Sequence, residues 1–136
     1  MNWKTTHVPI VVSDQDRALK FYTEAMGFEK RQDYQQKGRP RWITVAPPGQ
    51  EVEFILVKGK YAVDPRPPMD APSDGNHIVF VTADCRKDFE TLKARGVNFK
   101  DPAPVDASFG VSAYFTDPDG NHLTLLEPRA TDARRT

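Results

Sequence analysis

Cysteine is nearly absent from these 136 residues: Cys85 stands alone. One thiol closes no internal disulfide and supports no Cys-based zinc site. An excess of charge of either sign is also missing, with 19 Lys and Arg against 19 Asp and Glu. A chain of zero net charge has no electrostatic reason to take nucleic acid or an anionic membrane as partner. Long apolar runs are lacking too. Phe54-Ile55-Leu56-Val57 is among the longest, far short of the roughly 20 residues a membrane helix needs. Behind Met1-Asn2-Trp3-Lys4 no apolar stretch follows, so no signal peptide is expected and a cytoplasmic location is. The length fits one domain, taken as 1–136.

What is present is internal similarity. Thr6-His7-Val8-Pro9-Ile10-Val11-Val12 is a β-like run leading to Ser13-Asp14, and Asn76-His77-Ile78-Val79-Phe80-Val81 leads to Thr82-Ala83-Asp84. His7 and His77 hold the same place in the two runs, 70 positions apart. Each run opens into a helical pattern: Ala18, Leu19, Tyr22, Ala25 and Met26 recur at helical spacing, as do Phe89 and Leu92. Ser13 with Asp16 resembles a capping box in the first copy, and Asp84 caps in the second. Gly27 and Gly96 are placed to end these helices in left-handed conformations. Two hairpins close the copies, turning at Pro47-Pro48-Gly49-Gln50 and at Asp117-Pro118-Asp119-Gly120. Pro presets φ there and Gly accepts positive φ. Gly27 and Gly96 are 69 apart, Gly49 and Gly120 71 apart. The chain therefore reads as two β-α-β-β-β modules, one over about 5–57 and one over about 76–127. A proline-stiffened linker at 58–75 joins them, and a polar tail follows at 128–136.

A repeat makes equivalent residues the natural place to look for chemistry. The histidines form one such pair. Counting four residues past each hairpin glycine gives Glu53 and Thr124 as another. With four-residue loops, Thr44 pairs with Glu53, Trp42 with Ile55, Phe115 with His122 and Ala113 with Thr124. Opposed residues share a sheet face, so Trp42, Thr44, Glu53, Phe115 and Thr124 are expected on one surface. A one-residue slip turns such a set over. His7, His77 and Glu53 are then a candidate set for a divalent metal, since imidazole and carboxylate suit zinc, nickel, manganese or iron. Three protein ligands with open positions are common in catalytic sites. Each of these residues, taken alone, reads equally as a hydrogen-bonded or solvated strand residue. Trp42 and Phe115 read either as a cavity floor or as core. Cys85, at the start of the second helix, reads as inert for want of a partner. Asp117 and Asp119 read as turn residues, and His122 as a solvated side chain.

The βαβββ repeat resembles the vicinal oxygen chelate superfamily, also called the glyoxalase, bleomycin-resistance and extradiol-dioxygenase superfamily. The likeness is carried by Val12-Ser13-Asp14 before Ala18-Leu19-Lys20-Phe21-Tyr22, by Met26-Gly27-Phe28, and by Asp117-Pro118-Asp119-Gly120-Asn121. It covers about residues 5 to 127. It implies an α+β fold of eight strands in paired, cupped mixed sheets with helices on the convex sides. It also implies a homodimer in which each cavity takes one module from either subunit. In metal-dependent lyases of this group four strand positions supply ligands. His7, Glu53 and His77 match three, and the fourth, a glutamate, falls on Thr124. A threonine hydroxyl is a poor ligand, and Glu127, an odd number of residues farther on, points to the other face.

Two functions follow from the resemblance. One is a metal-assisted lyase, isomerase or oxygenase on a small oxygen-bearing substrate. His7 and His77 are then ligands, and Glu53 is a ligand or the proton-transfer base. The other is a metal-free protein that binds or sequesters a drug or metabolite against Trp42 and Phe115. The missing glutamate at Thr124 counts against a close glyoxalase I and against an extradiol dioxygenase.

Overall fold

The computed structural model describes residues 1–59 and 77–129, so the expected linker beyond Gly59 and the tail beyond Arg129 lie outside the described residues. The chain divides into two compact units, 1–70 and 71–136. In the first, β1 (His7–Val12), α1 (Gln15–Lys20), a π-helical turn (Phe21–Ala25), β2 (Glu29–Tyr34), β3 (Trp42–Ala46) and β4 (Glu53–Lys58) follow in order. In the second come β5 (His77–Val81), α2 (Cys85–Ala94), β6 (Asn98–Phe99), β7 (Val105–Ala107), β8 (Gly110–Thr116) and β9 (His122–Pro128). The sheets run β1-β4-β3-β2 and β5-β9-β8-β6. First and last strands pair in parallel and the remaining pairs are antiparallel. This is the expected α+β, mixed-sheet architecture with one strand more than expected. β6 and β7 both pair with β8 and are one strand interrupted at residues 100–104. Pro102 and Pro104 lie there, and neither has an N–H to give to a ladder.

Local chemistry sets the helix ends. Asp84 caps α2 as expected, its Oδ1 accepting from the Lys87 amide at 3.1 Å. In the first unit the cap is Asp14, not Ser13. Asp14 Oδ1 accepts from the Arg17 amide at 3.0 Å, while the Ser13 hydroxyl accepts from the Arg17 guanidinium at 2.9 Å. Gly27 and Gly96 take φ of +76° and +88°. From cap to glycine the first unit has one residue more than the second. The π-helical turn, closed by the Met26 amide on the Phe21 carbonyl at 3.2 Å, is wide enough to absorb it.

Each helix covers one face of its sheet. Under α1, Ile10, Val12, Ile43, Val45 and Leu56 are almost fully buried. Tyr22 and Phe28 pack at 5.8 Å between ring centroids, and Phe28 stacks on Phe54 at 6.2 Å. Gln15 is buried but satisfied, donating to the carbonyls of Leu56 at 2.8 Å and Arg41 at 3.2 Å. Under α2 the chain of rings is Phe89, Phe99 and Phe115, spaced 4.4 and 5.3 Å. Each such side chain contributes about 1.5–3 kcal/mol on burial.

Phe115 thus belongs to the core beneath α2, which corrects its expected place on the opposite face beside Thr124. The observed register pairs Phe115 with Leu123, and Tyr114 with Thr124. The loop from β8 to β9 has five residues, 117–121, and one residue of slip exchanges the faces. The β3–β4 loop has six, 47–52. Thr44 there pairs with Ile55, a two-residue shift that leaves Trp42, Thr44 and Glu53 on the face expected for them.

Two stability predictions follow. Gly110 has φ of +143°, and a Cβ there would run into the Glu127 carbonyl and the Pro128 backbone. Gly110→Ala should cost about 3 kcal/mol or more. Gly49→Ala, at φ +78° in open space, should cost only the roughly 1–2 kcal/mol of a left-handed backbone. Urea midpoints at unchanged m-value measure both, and equal losses would contradict the packing account. The second concerns Arg41, which grips Asp33 with two bonds of 2.9 Å and Asp16 with one of 2.7 Å. The hydrogen-bonded guanidinium holds the Asp33 carboxyl below its ordinary value of 3.8. A depressed carboxyl stabilises the fold above that value and loses the contribution as pH falls through its lowered one. Arg41→Met should therefore melt lower than wild type at neutral pH, the two melts converging in strong acid. A melting difference independent of pH would exclude the pair as its source.

Candidate functional site

Alternation along the strands leaves each sheet with an open face, turned away from its helix. On the first unit's open face stand His7, Trp42, Thr44 and Glu53. Parallel pairing sets His7 directly opposite Glu53, and their Nε2 and Oε1 atoms lie 4.0 Å apart. The other His7 ring nitrogen is 3.0 Å from the Thr6 hydroxyl. Glu53 Oε1 also accepts a 2.6 Å hydrogen bond from Thr44, whose side chain is fully buried. Trp42 inclines toward His7 with centroids 5.7 Å apart. Its indole N–H donates to Gln32 at 2.7 Å, which fixes the ring. The first unit therefore brings together four of the expected site residues.

The open face of the second unit carries His77 and Thr124, with a neighbour that the sequence reading set aside. His77 pairs with His122, and their rings stack at 4.5 Å with planes 16° apart. In register, His122 stands opposite His77 as Glu53 stands opposite His7, because Gly120 sits only two residues ahead of its strand where Gly49 sits four ahead. Thr124 lies two residues farther along the same face, opposite Val79 and Tyr114. Tyr114 and Ser112 join through their hydroxyls at 3.1 Å, and the Lys100 ammonium lies 6.0 Å from the Tyr114 ring centre. These polar groups were missed for want of the register. The one available signal was that a histidine opens the last strand as another opens the first.

The remaining candidates are structural. Asp117 Oδ1 accepts from the amides of Asp119 and Asn121, both at 2.9 Å, and its Oδ2 from the Asn121 side chain at 2.8 Å. The Asp-Pro-Asp-Gly-Asn run is a turn locked by its buried ends, Asp117 and Asn121. Glu127 turns away from Thr124, as expected, and accepts from the Cys85 amide at 2.9 Å at the start of α2. Burial pushes the Cys85 thiol up, and nearby carboxylates add to the shift. That is the opposite of an activated nucleophile.

A divalent ion needs several donors converging in its coordination sphere. Among the described residues no three His, Cys, Asp or Glu side chains come together in that way. Within the first unit His7 and Glu53 form a donor pair. Within the second, the donors do not suit an ion. Imidazole lone pairs lie in the ring plane, and nearly parallel stacked rings direct them along separate planes. Thr124 adds only a hydroxyl.

No helix among the described residues is long and apolar enough to cross a membrane. Comparison with known proteins places this geometry. The chain is 33% identical over 121 residues to the uncharacterised protein YurT of Bacillus subtilis, covering 87% of this chain and 94% of that one. It is 32% identical to a probable chloroplastic lactoylglutathione lyase of Arabidopsis thaliana, covering 89% of this chain but 35% of the plant protein. Among solved structures it resembles TnmS3, an antibiotic binding protein from Streptomyces sp. CB03234. There the TM-score is 0.75 and the identity 29%, over 94% of this chain and 98% of that one. The family model for the Glyoxalase/Bleomycin resistance protein/Dioxygenase superfamily matches residues 4–125. The chain belongs to that superfamily.

Proposed function

We propose that this protein binds and sequesters a flat, oxygen-bearing small molecule without a resident metal. One observation carries the proposal: the polar groups of the open faces are engaged with one another instead of converging on an ion. Glu53 takes the Thr44 hydroxyl at 2.6 Å. His77 and His122 stack, and the fourth position of a metal set holds Thr124. Trp42 supports the same function, since a ring held by Gln32 offers a preorganised plane for an aromatic ligand. The antibiotic-binding relative TnmS3 is an example of the fold used for binding.

A second function is favoured by one specific contact. His7 and Glu53 remain opposite each other with a 4.0 Å separation, as two ligands of a lyase would. In that case His7, Glu53 and His77 would hold zinc, nickel, manganese or iron. The ion would polarise substrate oxygens, and Glu53 would move the proton. The binding proposal ranks higher because the donor set lacks its second carboxylate. A homodimer and a cytoplasmic location accompany either function.

The two functions separate in one set of measurements. Chelator-treated protein should bind the neutral planar probe 2-naphthamide and quench Trp42. Trp42→Ala should weaken that binding about tenfold, a change of about 1.4 kcal/mol, and Trp3→Phe should leave it unaltered. The same preparation with added zinc, nickel, manganese or ferrous ion should form no S-lactoylglutathione from methylglyoxal and glutathione. Metal-dependent turnover lost in His7→Ala and Glu53→Gln, with no probe binding, would establish the lyase instead. Light scattering should give twice the chain mass.

A further inference from the structure

We infer that the open face of the second unit recognises a planar acid, an aromatic carboxylate or phenolate, with His122 and Lys100 setting that preference. The inference deepens the small-molecule proposal and rests on it.

The chemistry of the face is one-sided. β5 contributes His77, β9 His122 and Thr124, β8 Ser112 and Tyr114, and β6 leads into Lys100, whose amide donates to the Tyr114 carbonyl at 2.8 Å. Ser112 is fully buried and spends its hydroxyl on Tyr114; every other one of these side chains can donate a hydrogen bond to a ligand. A neutral imidazole keeps one N–H in either tautomer, hydroxyls donate, and the ammonium carries full charge. No Asp or Glu stands at a strand position of this face. Several acids of this unit have other partners. Glu127 receives the Cys85 amide from the helix side, Asp84 caps α2, and Asp88 accepts from Thr82. Asp106 pairs with Arg129 and Arg86. The first unit differs, because Glu53 places a carboxylate on its open face and would repel an anion there.

Shape follows from the same residues. The His77 and His122 rings lie nearly parallel, and Val79 and Val81 follow His77 along the same face of β5 with 58% and 70% of their surfaces exposed. Flat apolar surface beside donors suits a flat apolar ligand with an oxygen at one edge. Lys100 follows β6, and its amide meets Tyr114 on β8, which pairs with Thr124 on β9. It therefore stands two ladder steps, roughly 10 Å, across the sheet and two residues along from His122, a span on the scale of a fused-ring acid.

The test compares 2-naphthoate with its neutral isostere 2-naphthamide by calorimetry. Wild type should bind the acid at least tenfold more tightly. His122→Phe keeps an aromatic ring against His77 but removes the donor. Lys100→Gln removes the charge at an exposed position. Each should reduce the preference for the acid over the amide several-fold, and together they should abolish it. Equal affinity of wild type for the two probes, or a preference that survives the double substitution, overturns the inference and leaves the small-molecule proposal standing. Binding of neither probe overturns both.

Discussion

Parallel pairing of the first strand of each unit with its last is the constraint on which the site geometry depends. It sets β1 against β4 and β5 against β9, so the residue opening one strand faces the residue opening the other. In a β-α-β-β-β unit the helix must cover one sheet face to bury its stripe, which leaves the other face for chemistry. Backbone register alone then decides which side chains meet. It brings His7 to Glu53 and His77 to His122, and the exchange of a carboxylate for an imidazole changes an acid-base pair into a ring stack. No new element of structure is needed for that change.

Much of the fold was legible because its signals are local. Helix ends follow from Asp84, Gly27 and Gly96, where one residue's side chain or permitted φ is sufficient. The sheet order follows from repetition of the same pattern of runs and turns. The register was not legible. It depends on how many residues each hairpin loop holds, and that number is fixed by non-local detail such as the hydrogen bonds of Asp117 with Asn121. An error of two residues leaves faces intact, so Trp42, Thr44 and Glu53 stayed together. An error of one residue reverses them, so Phe115 went to the core and Tyr114 took its place. His122 stayed hidden for the same reason. As an isolated polar residue beside a turn it carries no signal until its partner across the ladder is known.

Membership of the superfamily settles the architecture and leaves the activity to the side chains, since function resides in sites and not in folds. The chain's relatives bear both lyase and binding names. Here the discriminating quantity is how many anionic donors remain to hold a cation. Glu53 is the one acid at an open-face position directly opposite a histidine, and its Oε1 is already bonded to a buried hydroxyl. That bond occupies one lone pair of the carboxylate and orients it, and one oriented acid beside one imidazole is a small anionic donor set for a divalent ion.

The two units also act as controls for each other. Positions beneath the helices are fixed by close packing: Phe28 with Phe54 in one, Phe99 with Phe115 in the other. Replacing such a ring costs several kcal/mol because the cavity left behind does not collapse fully. Open-face positions that stay half-buried, Glu53 and His122 among them, are freer of that constraint than the fully buried Thr44 and Ser112. Differences between the units should therefore concentrate on the open faces, where Glu53 and His122 stand at equivalent places with opposite hydrogen-bonding character.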